Sequence, residues 1–314
     1  MESYYDNPGI HLLMIRDDIR NRAYRDALHA AIKPGDVVLD FGAGTGILSM
    51  FAAQAGAKRV FAVERTNIAS LARTITAQNG FADRIQIIQQ DIENVWLPQK
   101  VDVIVSEWLG TYGVDENLLT PLLLARDRWL RPGGTMLPET VSAWLVPIWN
   151  GDLAVDISLS HGRPYGLDLR LIADGTFREM DWVRQPMSAD DFIAPPQVMW
   201  TTDVYTCSVS QARLPSRAQL QFSALRDGKI NALSAWFSAD FGNSVTLTNS
   251  PAAPLTHWGQ YIFALNEPVA VTTQTPIFVE FTCLPSFPGY SSQAWSVRIG
   301  DRPWEHHDTR TSPI

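Results

Sequence analysis

The chain has 314 residues, of which 46% are hydrophobic and 18% are charged, and its formal net charge at pH 7 is −8. This length is enough to bury a large core and predicts two domains. The acidic balance argues against nucleic-acid binding, which depends on clustered basic residues. The N-terminus lacks the basic and apolar regions of a signal peptide, and no apolar run is long enough to span a bilayer, so no membrane association is expected.

The chain contains two cysteines, Cys207 and Cys283. They are too few for a disulfide framework, and their spacing is not that of a metal-ligand set. We therefore expect a reducing, cytoplasmic compartment and no metal site.

Residues 1–150 alternate strand-like and helix-like segments. This alternation predicts βαβ units with a parallel sheet, whose ligands bind at the carboxyl ends of the strands. A turn is predicted at residues 131–134, ahead of a further strand. The predicted strands are 37–41, 59–64, 85–88 and 101–105, and the predicted helices are 46–55, 67–79 and 118–130.

The pattern changes near residue 150, which is the predicted boundary between domains 1–150 and 151–314. Residues 151–197 are interrupted by prolines and predict irregular, partly helical structure. From residue 197 onward, short segments rich in Thr, Val, Trp and Phe predict a β-barrel or sandwich. Examples of these predicted strands are 232–241, 261–263 and 277–283.

A glycine cluster, Gly42-Ala43-Gly44-Thr45-Gly46, joins the first predicted strand to a helix. Such a loop can approach a ligand closely, although by itself it is equally consistent with a tight turn that binds nothing. Glu64 ends the next strand, where its carboxylate can accept hydrogen bonds from ribose hydroxyls. The spacing differs from that of a dinucleotide loop and favours a single nucleoside over NAD. Glu93 follows the third strand and can meet an adenine ring, or can be a solvated loop residue.

Two glutamates, Glu107 and Glu116, flank the loop that follows the buried strand 101–105. Carboxylates at the end of a buried strand are costly unless they meet a cation. A guanidinium is suited to this position, because its planar fork of donors matches paired carboxylates. The loop therefore predicts an enzyme that acts on a guanidino group, against the alternative of two solvated side chains.

At this point the sequence resembles the protein arginine methyltransferase family. Residues 38–50 are similar to the cofactor motif of this family, and Ser106-Glu107-Trp108-Leu109-Gly110 with Glu116 is similar to its double-glutamate loop. Thr256-His257-Trp258 is similar to a short motif from its barrel domain. The resemblance runs from about Tyr5 to Gly300 and includes, near the N-terminus, Gly9-Ile10-His11, Met14, Asp17, Arg20 and Tyr24-Arg25.

The resemblance implies an α/β fold, in which a Rossmann-like methyltransferase domain is followed by a β-barrel domain with a helical dimerisation arm at about residues 158–190. An N-terminal helix at residues 1–34 is expected to cover the cofactor, and the chain is expected to form a homodimer.

The implied cofactor is S-adenosylmethionine, and each implied site residue comes from a matching motif position. Residues implied to contact the cofactor are His11, Arg20, Gly42, Gly44, Glu64, Ile92 and Glu93. Glu107 and Glu116 are implied to clamp the guanidinium, with His257 and Asp17 paired beside them. Tyr5, Met14 and Trp258 are implied to shape the acceptor pocket.

The chemistry fits these residue types. A guanidinium is a poor nucleophile, and two carboxylates can orient it while drawing positive charge away from the reacting nitrogen. Its proton can leave through Glu116 or through the His257–Asp17 pair, and both routes stay open. The acceptor can be a protein arginine, free arginine or another small guanidino metabolite. A catalytically silent binding partner is the competing hypothesis, and a nicotinamide-dependent dehydrogenase is a more distant one.

Overall fold

A computed structural model describes residues 2–169, 181–183, 187–286 and 291–311. These residues form a parallel α/β unit followed by an antiparallel β unit.

Three short helices precede the first strand, in place of the single helix predicted over residues 1–34. They are α1 (Glu2–Tyr5), α2 (Pro8–Arg16) and α3 (Asp18–Ala31). The breaks arise from side chains that cap the next helix. Asn7 accepts a hydrogen bond from the backbone of Gly9 ahead of α2, and Asp17 accepts one from the backbone of Arg20 ahead of α3. Both residues prefer this capping position to a helix interior.

The parallel sheet has five strands in the order β3-β2-β1-β4-β5. Its strands are β1 (Val37–Phe41), β2 (Arg59–Glu64), β3 (Ile85–Gln89), β4 (Val101–Ser106) and β5 (Leu130–Leu137). The connecting helices are α4 (Ile47–Gln54), α5 (Ile68–Gln78) and α6 (Leu119–Trp129). The chain builds outward from β1 to β3 and then crosses to β4, so β1 and β4 flank the switch point where ligands of such sheets bind.

The turn predicted at residues 131–134 lies inside β5, not before it. Pairing with β4 moves from Val101–Leu130 directly to Val103–Thr135, so the intervening residues form an irregular bulge. Gly133 accommodates this bulge with a φ of 72°. A Pro-Gly-Gly run disfavours regular pairing, but a bulge lets the strand continue beyond it.

The second unit contains two antiparallel sheets that enclose a shared apolar core. One sheet contains β6 (Thr140–Ile148), β7 (Asp181–Val183), β8 (Gln197–Asp203), β10 (Gly228–Asp240), β11 (Thr246–Thr248) and β12 (Gln260–Val271). The other contains β9 (Ser216–Ser223), β13 (Pro276–Leu284), β14 (Ser292–Ile299) and β15 (Glu305–Asp308). Because β6 pairs with β8 and β10, the change between units falls between β5 and β6, ahead of the predicted boundary at residue 150.

Helix α7 (Gly151–His161) and a 3-10 turn at Pro164–Gly166 begin the predicted dimerisation arm. Residues 170–180 and 184–186 of this arm lie outside the described residues. A short helix, α8 (Val209–Ala212), joins β8 to β9. Among the helices described, none has both the length and the apolarity to cross a bilayer.

Candidate active site

A cavity of about 190 Å³ opens at the carboxyl ends of β1, β2 and β4, beneath α1 and α2. It therefore lies at the switch point of the sheet. Most of the predicted site residues line it, namely Tyr5, His11, Met14, Arg20, Gly42, Gly44, Glu64, Ile92, Glu93, Glu107 and Glu116.

The glycine loop forms the floor of this cavity. Gly42, Gly44 and Gly46 have φ values of 73°, 54° and 83°, which L-residues with a side chain rarely adopt. A Cβ atom at Gly44 would lie 3.0 Å from the imidazole ring of His11. The sequence therefore needs glycine at position 44 both for backbone conformation and for the close approach of α2.

Glu64 is held at the rim of the cavity by two backbone amides. Its Oε2 accepts a hydrogen bond from the N–H of Gly44 at 2.9 Å, and its Oε1 accepts one from Thr66 at 2.8 Å. A carboxylate has about four acceptor positions, so two stay open for hydroxyl donors. This geometry suits a ribose and fits the position predicted for Glu64.

Arg20 lines the cavity beside Glu107. Its Nη2 lies 3.2 Å from Oε2 of Glu107, and its Nη1 donates to the side chain of Asn21 at 2.8 Å. Among the described residues, its Nε has no hydrogen-bond partner. The side chain is only 5% exposed, so a buried donor that faces the cavity can bind an anionic group of a ligand.

The double-glutamate loop places both carboxylates on the cavity wall. Oε1 of Glu107 accepts a hydrogen bond from the backbone of Leu109 at 3.0 Å. The carboxylate of Glu116 accepts a hydrogen bond from the phenolic hydroxyl of Tyr5, which lies 3.2 Å from Oε1 and 3.1 Å from Oε2. Burial raises the pKa of Glu116 well above its ordinary value, and the nearby charges of Glu107 and Asp115 add to this, while the Tyr5 hydrogen bond opposes them. The site therefore favours a bound cation between the two carboxylates.

Asp17 and His257 are in direct contact, although they come from α3's N-terminus and from the loop ahead of β12. The Nδ1 atom of His257 and its backbone N–H each lie 2.8 Å from Oδ2 of Asp17. Burial acts to raise the pKa of Asp17, but the hydrogen bonds from His257 and from the Arg20 backbone outweigh it, so that pKa is lowered. Neither residue lines the cavity. The pair therefore joins the β unit to the helix that carries Arg20.

Trp258 does not take the position predicted for it. It is 5% exposed, does not line the cavity, and donates its indole N–H to the carbonyl of Leu109 at 2.9 Å. An indole has one donor, and here the protein itself satisfies it. Trp258 thus contacts the double-glutamate loop outside the cavity lining, whereas the resemblance implied a residue that shapes the acceptor pocket.

The remaining predicted residues lie along the cavity rim. The Nε2 atom of His11 lies 2.8 Å from the carbonyl of Tyr5, so α1 and α2 are joined where they cover the cavity. Ile92 is buried, whereas the Glu93 side chain is exposed at the edge. Met14 contributes to the wall from α2. Across the described ranges, no group of three or more His, Cys, Asp or Glu side chains could hold a metal ion.

Asp115, which the sequence analysis did not single out, is a buried carboxylate beside Glu116. It accepts hydrogen bonds from the backbones of Thr111 and Tyr112. The sequence carries no local signal for this role, because Asp side chains in turns usually bind backbone groups that follow them, and Asp115 binds two that precede it.

The parallel sheet, its glycine loop and the facing carboxylates define a Rossmann-like enzyme with a nucleoside site next to a cation site. Two family models match the chain: the arginine methyltransferase oligomerization subdomain over residues 140–296, and ribosomal protein L11 methyltransferase over residues 25–115.

Curated relatives cover nearly the whole chain. Protein arginine N-methyltransferase 6 of Xenopus tropicalis is 34% identical over 294 residues, covering 90% of this chain and 85% of that protein. Protein arginine N-methyltransferase 1 of Dictyostelium discoideum is 34% identical over 289 residues, covering 90% of this chain and 83% of that protein.

Solved structures share both units. The Trypanosoma brucei PRMT1 enzyme-prozyme heterotetrameric complex with AdoHcy matches with a TM-score of 0.84 and 29% identity, over 97% of this chain and 98% of that one. Arabidopsis thaliana protein arginine methyltransferase 10 matches with a TM-score of 0.83 and 26% identity, over 98% of this chain and 100% of that one.

This chain belongs to the protein arginine methyltransferase family. The family and the fold class predicted from the sequence are therefore confirmed.

Proposed function

We propose that this protein transfers the methyl group of S-adenosylmethionine to a guanidino nitrogen of arginine. One observation carries the proposal: Glu107 and Glu116 line the same cavity as the glycine loop and Glu64. A nucleoside site and a guanidinium clamp are thus contiguous, as methyl transfer between two bound molecules requires.

The residues present fit S-adenosylmethionine. Gly42 and Gly44 let the backbone pass beneath it, since Cβ atoms would fill that space or strain the loop. Glu64 has acceptor positions for ribose hydroxyls. The Nε of Arg20, which lacks a hydrogen-bond partner among the described residues, suits the amino-acid carboxylate. Ile92 and Glu93 border the adenine end, and His11 covers the loop.

When bound, S-adenosylmethionine supplies a methyl group on a sulfonium, which is the electrophile. The chain's own residues then have to present the nucleophile. Glu107 and Glu116 bind the guanidinium from two sides, so that one nitrogen is oriented toward the cofactor end of the cavity. Positioning of this kind lowers a barrier by roughly 7–11 kcal/mol.

Glu116 is the proposed acceptor of the proton released by the methylated nitrogen. It lines the cavity, and its raised pKa makes it a better base than an ordinary glutamate. The His257–Asp17 pair lies outside the cavity lining, which favours a supporting role over the proton transfer predicted as an alternative.

A protein arginine is the proposed acceptor, in line with the names of the relatives. The test is transfer of a labelled methyl group to an Arg-Gly-rich peptide, run beside free arginine, with mass spectrometry of the products. Methylation of the peptide supports the proposal, and methylation of free arginine alone would redirect it to a small acceptor. Cofactor binding without methylation of either acceptor would favour a catalytically silent binding partner.

Homodimerisation and a cytoplasmic location are also proposed. The match to an oligomerization subdomain supports assembly. So does the exposed apolar face of α7, where Val155 is 57% and Leu159 is 54% exposed. Light scattering on the wild type and on Leu159→Asp tests this, and a monomeric wild type would contradict it. The two free thiols suit a reducing compartment, which localisation of a tagged protein would check.

A further inference from the structure

The loop between Glu107 and Glu116 closes on itself. Gly110 donates its backbone N–H to the carbonyl of Gly113 at 3.0 Å, and Gly113 donates back to Gly110 at 3.3 Å. This pairing makes a tight turn whose tip is formed by Thr111 and Tyr112. The backbone N–H groups at the tip have to find acceptors elsewhere, because both residues are buried.

Asp115 supplies both acceptors. Its Oδ2 accepts the N–H of Thr111 at 3.0 Å, and its Oδ1 accepts the N–H of Tyr112 at 3.1 Å. The residue is only 2% exposed. Charge-assisted bonds of this kind are stronger than neutral ones. The carboxylate therefore holds the turn against the chain segment that continues directly into Glu116.

Gly110 leaves the space that this carboxylate occupies. A Cβ atom at Gly110 would lie 2.3 Å from Cγ and Oδ1 of Asp115 and 2.5 Å from Oδ2. The φ of Gly110 lies outside the left-handed region. The backbone would therefore accept alanine at position 110, and the space taken by Asp115 is what excludes a side chain there.

The residues on either side of Glu116 are also attached to the β unit. The carbonyl of Asp115 accepts the backbone N–H of Ser291 at 2.9 Å. The hydroxyl of Ser291 donates to the side chain of Asn117 at 2.7 Å, and Asn117 donates to the carbonyl of Ser286 at 2.9 Å. Glu116 thus projects into the cavity between two anchored neighbours.

We propose that Asp115 is a positioning residue for the methyl-transfer reaction, which sets the location of Glu116 relative to Glu107 by closing the loop between them. The inference rests on the proposed function, in which these two glutamates clamp the guanidinium. Burying a carboxylate is costly, and here that cost is offset because Asp115 satisfies two backbone N–H groups that would otherwise be buried without acceptors. Its value lies in fixing one loop geometry, because a displacement of about 1 Å costs on the order of 10²-fold in rate.

The first test compares Asp115→Asn with a matched control, Asp203→Asn. Asp203 also accepts two backbone N–H groups, from Tyr205 and Thr206, but lies outside the cavity lining. In Asp115→Asn the amide can accept only one of the two bonds and turns a donor toward the other N–H. We expect kcat to fall roughly 10- to 100-fold, with the affinity for S-adenosylmethionine and the KM of the peptide within about threefold of wild type. The control should keep the wild-type kcat.

The second test uses Gly110→Ala, Asp115→Ala and the double variant. If the two positions act through one contact, the losses in kcat are non-additive, and the double variant is no worse than Gly110→Ala alone. All values are taken per folded molecule, from the fraction that binds S-adenosylhomocysteine. Additive losses would overturn the proposal, and so would a kcat of Asp115→Asn within about threefold of wild type.

Amide exchange at Thr111 and Tyr112 separates this proposal from the proposed function. Asp115→Asn should exchange these amides at least tenfold faster, while those of the control stay unchanged, whatever acceptor the enzyme uses. Unchanged exchange would overturn the positioning role even if arginine methylation is established. A wild type that methylates no arginine acceptor would instead refute the proposed function.

Discussion

Tyr5 donates its hydroxyl to the carboxylate of Glu116 at 3.1 and 3.2 Å, although the two residues lie 111 positions apart. The contact brings α1 against the double-glutamate loop and closes the cavity from above. His11 reinforces it from α2 by contacting the Tyr5 carbonyl. The first helix therefore takes part in the site through a side chain that reaches the proposed base.

Replacing Tyr5 with Phe should shift the pH dependence of catalysis. The Tyr5 hydrogen bond lowers the pKa of Glu116, in opposition to burial, so its loss raises that pKa further. A hydrogen bond to a charged group is stronger than one between neutral groups, so its loss should have a measurable effect. The acid limb of the kcat/KM profile should therefore move to higher pH. Tyr4→Phe, at an exposed neighbouring ring, is the control, and an unmoved limb in Tyr5→Phe would contradict the contact's role.

Glu107→Gln should impair turnover while leaving cofactor binding nearly intact. The substitution keeps the shape of the side chain but removes one of the two charges that hold the guanidinium. We expect kcat to fall by about 10²-fold or more. Steady-state kinetics and calorimetry with S-adenosylmethionine check the two parts separately. Glu280→Gln, on the exposed face of β13, is the control, and a kcat of Glu107→Gln within tenfold of wild type would remove the clamp from the mechanism.

Arg20→Ala should mainly weaken cofactor binding. The change removes a buried cation that lines the cavity and leaves Glu107 without its ion pair, at 3.2 Å in the wild type. It also removes the Nε donor proposed to bind the cofactor carboxylate, and loss of a hydrogen bond to a charged group costs roughly 1.5–3 kcal/mol of binding free energy, about 10- to 150-fold in affinity. Arg20→Lys keeps the charge but lacks the planar guanidinium, so its affinity for the cofactor should lie between those of the wild type and Arg20→Ala. Calorimetry with S-adenosylhomocysteine measures the affinities, with exposed Arg22→Ala as the control, and unchanged affinity in Arg20→Ala would refute the role.

Asp40→Asn should change how stability depends on pH. Asp40 is fully buried in β1, where burial raises its pKa to about 7 from the ordinary 3.8. The folded state therefore binds this proton more tightly than the unfolded state does. The contribution of Asp40 to the free energy of unfolding is greatest below about pH 4 and falls as the pH rises to about 7.

An asparagine does not titrate, so the variant lacks this fall. The unfolding free energy of Asp40→Asn minus that of the wild type should increase by roughly 3 kcal/mol between about pH 4 and pH 7. Urea unfolding across this range measures the difference. A difference that stays constant with pH would show that Asp40 has an ordinary pKa in the folded protein.

The strands and helices of the α/β unit were largely predictable, because their signals are local. Residues 37–41 and 59–64 were predicted as strands and match β1 and β2, and helix 67–79 matches α5 at Ile68–Gln78. Hydrophobic runs and flanking glycines are read over a few residues and need no tertiary information. The break of the predicted N-terminal helix at Asp17 was missed, because an aspartate in a helical pattern reveals its capping role only when its partner amide is known.

Contacts between segments that are distant in the sequence were harder to predict. The pairing of Asp17 with His257, 240 positions apart, was expected from the family resemblance and not from the residues themselves. The hydrogen bond from Trp258 to the Leu109 carbonyl could not be read from the sequence, since an indole can equally line a pocket or satisfy a carbonyl. The cap that Asp115 places on its own loop, which spans only a few residues, was also missed.

By itself, the sequence determined the two-unit architecture, the glycine loop and the pair of glutamates, because short-range patterns of size, charge and hydrophobicity indicate each of them. Only the tertiary structure decided which polar groups face the cavity and which face one another. In the folded chain Arg20 donates to Glu107, Tyr5 donates to Glu116, and Asp115 accepts from the backbone of the turn that precedes it. Burial is the physical reason: once water is excluded, each polar group has to bind whichever partner the packed chain brings within reach.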